Sequence, residues 1–131
     1  MKLNHDCIRD LLLVLERSLI IDDQGKTHFL KLEDVACIDS MKLYSRADII
    51  YCSLRLAEAD LINISYSYAG AEIYYMFYNY ITFEGHQYLD SIRDKTVWGI
   101  VKEKLKSIGG AASFKLIMAI AEKAVLQLVG L

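Results

Sequence analysis

Proline is absent from the 131-residue chain, so no helix in it is interrupted by a residue lacking an amide hydrogen. Cysteine is scarce: Cys7, Cys37 and Cys52 are odd in number, far apart, and form no Cys-x-x-Cys pair. That spacing argues against a disulfide framework or a zinc ribbon and predicts reduced thiols in a cytoplasmic protein. No apolar run is long enough to span a bilayer. The greasiest tract, FKLIMAIAEKAVLQLVGL, is interrupted by Lys115, Glu122 and Lys123. The opening MKLNHDCIRD carries two acids and no apolar signal core, so no export sequence is expected. A phosphate-cradling glycine loop, a nucleophile elbow and a His-Glu-x-x-His pair are all missing. No catalytic residue, metal or cofactor is therefore expected. Basic residues are missing from the middle of the chain, with no Lys or Arg between Arg55 and Arg93.

What is present is a globular composition, 54% apolar and 24% charged with a formal net charge of −2. Asn4 can cap a first helix, in which Ile8, Leu11, Leu12, Leu15 and Leu19 recur at helical spacing. IIDDQGKTHFLKL reads as a turn or small hairpin, and LEDVACI as a short helix with Leu32, Val35 and Ile38 inward. Ser45 with Asp48 predicts the start of a third helix over residues 46–59. Its inner side carries Ile49, Cys52, Leu56 and Ala59, and the opposite side Asp48, Tyr51, Arg55 and Glu58.

From Ile62 the period changes to two. Ile62, Ile64, Tyr66 and Tyr68 alternate with Asn63, Ser65 and Ser67, predicting a strand with one buried side. AGA supplies a turn, and EIYYMFYNYI returns as a strand apolar on both faces, so both need cover. Helix resumes at Thr82, breaks near residues 94–96, and ends at Gly109-Gly110 before a last helix after Ser113. The fold class is mainly α with a β-hairpin (α+β). The order of elements predicts a winged-helix-like domain over residues 1–94 and a C-terminal helical extension over 95–131. The extension is expected to pack on the same domain or on a dimer mate.

ITFEGHQYLDSIRDKTVW crowds Glu84, His86, Asp90, Arg93 and Asp94 ahead of the only tryptophan. On a helix capped by Thr82, Glu84 suits the first turn, and the remaining charges pair at three- and four-residue spacing. The segment reads as framework rather than as a reaction centre. Gly85 is costly inside a helix and predicts a close approach by another backbone or a ring, the tyrosine hairpin being one source.

MKLNHDCIRDLL, LRLAEADLI, ITFEGHQYLDSIRDKTVW and VKEKLKSIGGAASFKLI together resemble a group of small bacterial and phage-borne proteins classed as a domain of unknown function. The most specific part is Gly85, His86, Leu89, Asp90, Ile92, Arg93, Asp94, Val97 and Trp98. The chain departs from that pattern at Cys52, where relatives often carry His. It departs again at Ala59-Asp60-Leu61, where they carry Ala-Gly-Leu, which alters the C-cap of the third helix. The resemblance implies a winged-helix-like fold and a mobile-element setting, and brings no activity.

Two non-enzymatic functions follow, with a DNA-linked regulator, which the winged-helix order favours, as the first expectation and a protein-binding module as the alternative. A DNA-linked regulator would use Lys42, Tyr44, Arg46, Tyr51 and Arg55 from the third helix and the residues before it. The acidic net charge and a wing without Lys or Arg weigh against it. A protein-binding module, such as a phage accessory or anti-defence protein docking on a host complex, would use Tyr66, Tyr68, Tyr74, Tyr78 and Tyr80. In the last helix Phe114, Ile117, Ala121, Ala124 and Leu128 form a stripe that predicts a homodimer. The polar face of that helix is too sparse for membrane binding.

Overall fold

In the computed structural model, which describes residues 1–131, the Asn4 side chain accepts the Cys7 N–H at 3.0 Å and opens α1 (His5–Ser18). Ile8, Leu11, Leu12 and Leu15 of its apolar stripe are buried, each contributing about 1.5–3 kcal/mol by removal from water. The Asp-Asp-Gln-Gly segment is a turn. One Asp22 carboxylate oxygen accepts the N–H of Gln24 and of Lys26, and Gly25 takes φ +81°, bringing Ile21 opposite Thr27.

Leu30–Lys31 then forms β1, a strand too short to show any period in the sequence. α2 (Leu32–Ala36) follows, with the Asp34 carboxylate reaching back to the Lys31 N–H at 3.2 Å. After a single 3-10 turn over Asp39–Met41, the Ser45 hydroxyl accepts the Asp48 N–H at 3.0 Å and starts α3 (Arg46–Glu58).

The end of α3 is a two-bond cap. Leu61 N–H reaches Leu56 O at 2.9 Å and Asp60 N–H reaches Ala57 O at 3.0 Å. Such a cap needs a left-handed residue, and Asp60 supplies it at φ +62°. Asp60 thus holds a conformation that glycine adopts without strain.

β2 (Ile62–Ala69) and β3 (Glu72–Ile81) form the hairpin, and β1 adds to β3, giving an antiparallel sheet of order β1-β3-β2. Two register shifts each leave an extra residue on β3, Tyr74 and Asn79, while β2 stays regular. The alternation in β2 is only half obeyed. Ile62 is buried, whereas Tyr66 and Tyr68 are 45% and 51% exposed, because the hairpin extends beyond the core that its base covers. On β3, Met76 and Tyr78 face the core. Phe77 on the outer side is covered by Phe29, edge-on at 5.2 Å, and by Tyr75, stacked at 5.1 Å.

α4 (Phe83–Ile92) starts at Thr82, whose hydroxyl accepts the Gly85 N–H at 3.0 Å. The break falls at Arg93-Asp94, where the Asp94 carboxylate caps α5 (Lys95–Ser107) through the Val97 N–H at 3.0 Å. Ser113 caps α6 (Phe114–Leu128).

The chain divides into two compact units, Met1–His86 and Gln87–Leu131. In the first, α1, α2 and α3 pack with the three-stranded sheet; in the second, α5 packs on α6 and buries Val97, Trp98, Val101, Leu105, Ile117, Ala121 and Ala124. The architecture is α+β, with C-terminal helices following the sheet.

Candidate interaction surface

Within Met1–His86, α3 and the hairpin border an open groove of two adjoining parts. The first, about 450 Å³, lies between Arg46, Ala47, Ile50, Tyr51 and Leu54 of α3 and Tyr68, Glu72 and Ile73 of the hairpin. The second continues past Leu54 and Arg55 to Ile64 and Tyr66. Tyr66 and Tyr68 stand edge-to-face at 6.1 Å along β2. Ile50 and Leu54 were not singled out by the sequence, although their four-residue spacing off the buried stripe of α3 was a usable signal.

The residues expected to meet DNA are dispersed or engaged. The Lys42 ammonium lies 3.4 Å from the Asp39 carboxylate. The Tyr44 hydroxyl donates to Asp10 at 2.5 Å, tying the segment before α3 to α1. Burial, reinforced by that bond, pushes the Tyr44 pKa up. Arg55 pairs with Glu58 at 3.4 Å and lies 5.3 Å from the Tyr51 ring centre. Arg46 and Tyr51 border the first part of the groove and Arg55 the second, with aliphatic side chains of α3 between them.

The hairpin tyrosines also separate. Tyr66 and Tyr68 line the groove, Tyr74 is 75% exposed near the tip beside Tyr75, and Tyr80 borders a different hollow with Leu15, Ile21 and His86. Tyr78 is fully buried, so it is a core residue and not a contact for any partner. Its hydroxyl donates to Ser53 at 2.7 Å, and Ser53 in turn donates to Ile49 O at 2.7 Å. A register shift at Asn79 is what separates Tyr78 from Tyr80 in environment.

The charged segment around α4 resolves into structural pairs. Asp90 bonds Arg93 at 2.8 Å, Asp94 caps α5, and His86 is exposed. No group of three His, Cys, Asp or Glu side chains stands close enough to hold a metal ion. Gly85 answers to a backbone approach rather than a ring: its α-carbon lies against the carbonyl of Leu61. Cys7 and Cys52 are buried together between α1 and α3, and the hydrogen bond between their thiols, with burial added, pushes the Cys7 pKa up.

The expected dimer stripe is consumed within its own unit. Ile117, Ala121 and Ala124 are buried, and Phe114 sits edge-on to Tyr88 at 5.0 Å; only Leu128 of the five is largely exposed. The most apolar stripe of an amphipathic helix goes to the nearest available partner, here α5.

The sheet order and the α3–hairpin groove describe an α+β chain with an open groove within Met1–His86. Residues 2–112 match the family described as hypothetical protein (DUF2513), and the chain belongs to that family. The match covers the helices and sheet through α5 and ends before α6. No curated protein and no solved structure matches the chain.

Proposed function

We propose that this is a non-enzymatic winged-helix protein that recognises another protein through the groove between α3 and the hairpin. The order α1-β1-α2-α3-β2-β3 with strand order β1-β3-β2 supports a winged helix, with α3 at the recognition position and the hairpin as wing. The observation that carries the choice of partner is the chemistry of the groove. Its middle is Ala47, Ile50, Leu54, Tyr66, Tyr68 and Ile73. Aromatic and aliphatic side chains of this kind anchor protein interfaces, whereas base edges and phosphates call for free donors and cations. The cytoplasmic, phage-associated setting inferred from the sequence suits a host protein as target.

DNA is the second reading, favoured by the winged-helix order and by Arg46, Tyr51 and Arg55 along the groove. Against it, the hairpin carries no Lys or Arg, and its charged residue, Glu72, repels phosphate. Retention on DNA from its own locus as a function of salt separates the two. The protein reading predicts no salt-dependent retention of the wild type. It also predicts that Tyr66→Ala with Tyr68→Ala abolishes partner capture while the circular dichroism spectrum is unchanged. Strong retention that weakens steeply with salt and is lost in Arg46→Ala would overturn it.

A further inference from the structure

The first turn of α1 closes over two thiols, Cys7 of α1 and Cys52 of α3, both buried. The Cys7 S–H donates to the Cys52 sulfur, and the Cys52 S–H donates to the Asn4 carbonyl at 3.7 Å. Asn4 is also the residue that caps α1, its side chain accepting the Cys7 N–H at 3.0 Å. One capping residue therefore bonds to both members of the pair. The third cysteine, Cys37, is exposed.

We propose that Cys7 and Cys52 form a reversible disulfide when the protein meets hydrogen peroxide, with the first turn of α1 as the cover that admits the oxidant. Buried thiols are inert while they stay buried, so access comes from local opening. Helix ends fray, Met1 and Lys2 ahead of this turn are exposed, and His5 Nδ1 is buried without a hydrogen-bond partner. Opening the turn breaks the Asn4 bonds to Cys7 and to Cys52 together.

The Cys7 S–H supports a thiolate at Cys52 rather than the reverse, so Cys52 reacts first. Its sulfur attacks one peroxide oxygen and the O–O bond breaks. The departing hydroxide leaves as water with the thiol proton, and Cys52 becomes a sulfenic acid. The Cys7 sulfur then attacks the Cys52 sulfur, and the S–O bond breaks. That hydroxyl leaves as a second water with the Cys7 proton. Two thiols and one hydrogen peroxide thus give one disulfide and two waters, and a thiol reductant reverses the bond. The product ties α1 to α3 through a long closed loop, which constrains the unfolded chain. The inference does not rest on the protein-recognition reading.

The test uses the full chain with Cys37→Ser, so that only the pair can react. Hydrogen peroxide is added, and intact mass, iodoacetamide labelling in denaturant and the thermal midpoint are followed before and after dithiothreitol. The expected result is loss of two hydrogens, no uptake of label and a raised midpoint, all reversed by dithiothreitol. Adding Cys7→Ser should leave Cys52 as a sulfenic acid that dimedone captures. Asn4→Ala should speed disulfide formation by about 2- to 30-fold, the range expected for losing one helix cap. Asp94→Ala removes the corresponding cap of α5 and should leave the rate unchanged. Both variants should keep the circular dichroism spectrum of the parent. Oxygen atoms added to Cys7 or Cys52 in place of the loss of two hydrogens overturn the proposal. So does a pair that stays reduced until the chain is unfolded, or a rate that Asn4→Ala leaves unaltered or that Asp94→Ala raises equally.

Discussion

Gly85 and Leu61 are in backbone contact: a Cβ at Gly85 would overlap the Leu61 carbonyl oxygen and come within 2.7 Å of Ile81 Cγ2. The same oxygen accepts the Thr82 N–H at 3.1 Å, while the Thr82 hydroxyl donates to Asp60 O at 2.7 Å and accepts from Gly85 N–H. The cap that ends α3 and the cap that begins α4 are thus one hydrogen-bonded knot, and glycine is what lets the helix approach it.

Gly85→Ala tests that relationship by its sign. In an unconstrained helix the change stabilises by about 0.5–1 kcal/mol. Here the new methyl meets main chain that cannot swing aside, so a loss of about 1–3 kcal/mol is expected from overpacking. Urea unfolding monitored by circular dichroism reads the difference. A more stable variant would mean that the Leu61 carbonyl does not lie where described.

Asp60→Gly should do the opposite. The left-handed backbone at Asp60 costs a side-chain-bearing residue, and the main-chain bonds it makes are kept by glycine. A gain of about 0.5–1 kcal/mol is expected, and Asp60→Val should lose at least as much, since a β-branched residue tolerates that conformation least. The midpoint of thermal unfolding for the two variants, relative to the wild type, checks both directions.

How far these features were legible follows from their range. Asn4, Ser45 and Thr82 act within three residues, so their roles as helix starts were read from spacing alone, whereas Asp94 read only as a paired charge near a break and its cap of α5 came from the structure. Gly85 was legible as an anomaly, but its partner lies 24 positions earlier in the chain and has no sequence mark, because it is a backbone oxygen. β1 was invisible as a strand since two residues carry no period. The hairpin tyrosines share one pattern in sequence yet divide into groove, tip and core, because register shifts and the limited extent of the core decide each fate. The groove depended on placing Ile50 and Leu54 beside the hairpin, a tertiary fact.

Two buried phenols should respond oppositely to loss of their hydroxyls. Tyr78 donates to Ser53, so Tyr78→Phe should cost about 1 kcal/mol. The Tyr88 hydroxyl is buried without a hydrogen-bond partner, so Tyr88→Phe should be neutral or stabilising by up to about 1 kcal/mol. Burial pushes both pKa values up from the ordinary value near 10. A raised folded-state pKa contributes stability that is complete below the unfolded value and is lost as pH rises beyond it. Alkaline unfolding should therefore begin above about pH 10, with a fraction of the tyrosinate absorbance appearing only as the chain unfolds. Complete tyrosine ionisation while circular dichroism stays native would contradict the burial of these rings.

The central claim, that the groove between α3 and the hairpin recognises protein, is tested most directly by affinity capture from the native host. Nuclease-treated and untreated samples of the wild type and Leu54→Glu should be compared side by side. The expected result is the same captured protein with and without nuclease, absent for a folded Leu54→Glu. Capture that disappears on nuclease treatment, or that is untouched by Leu54→Glu, would contradict it.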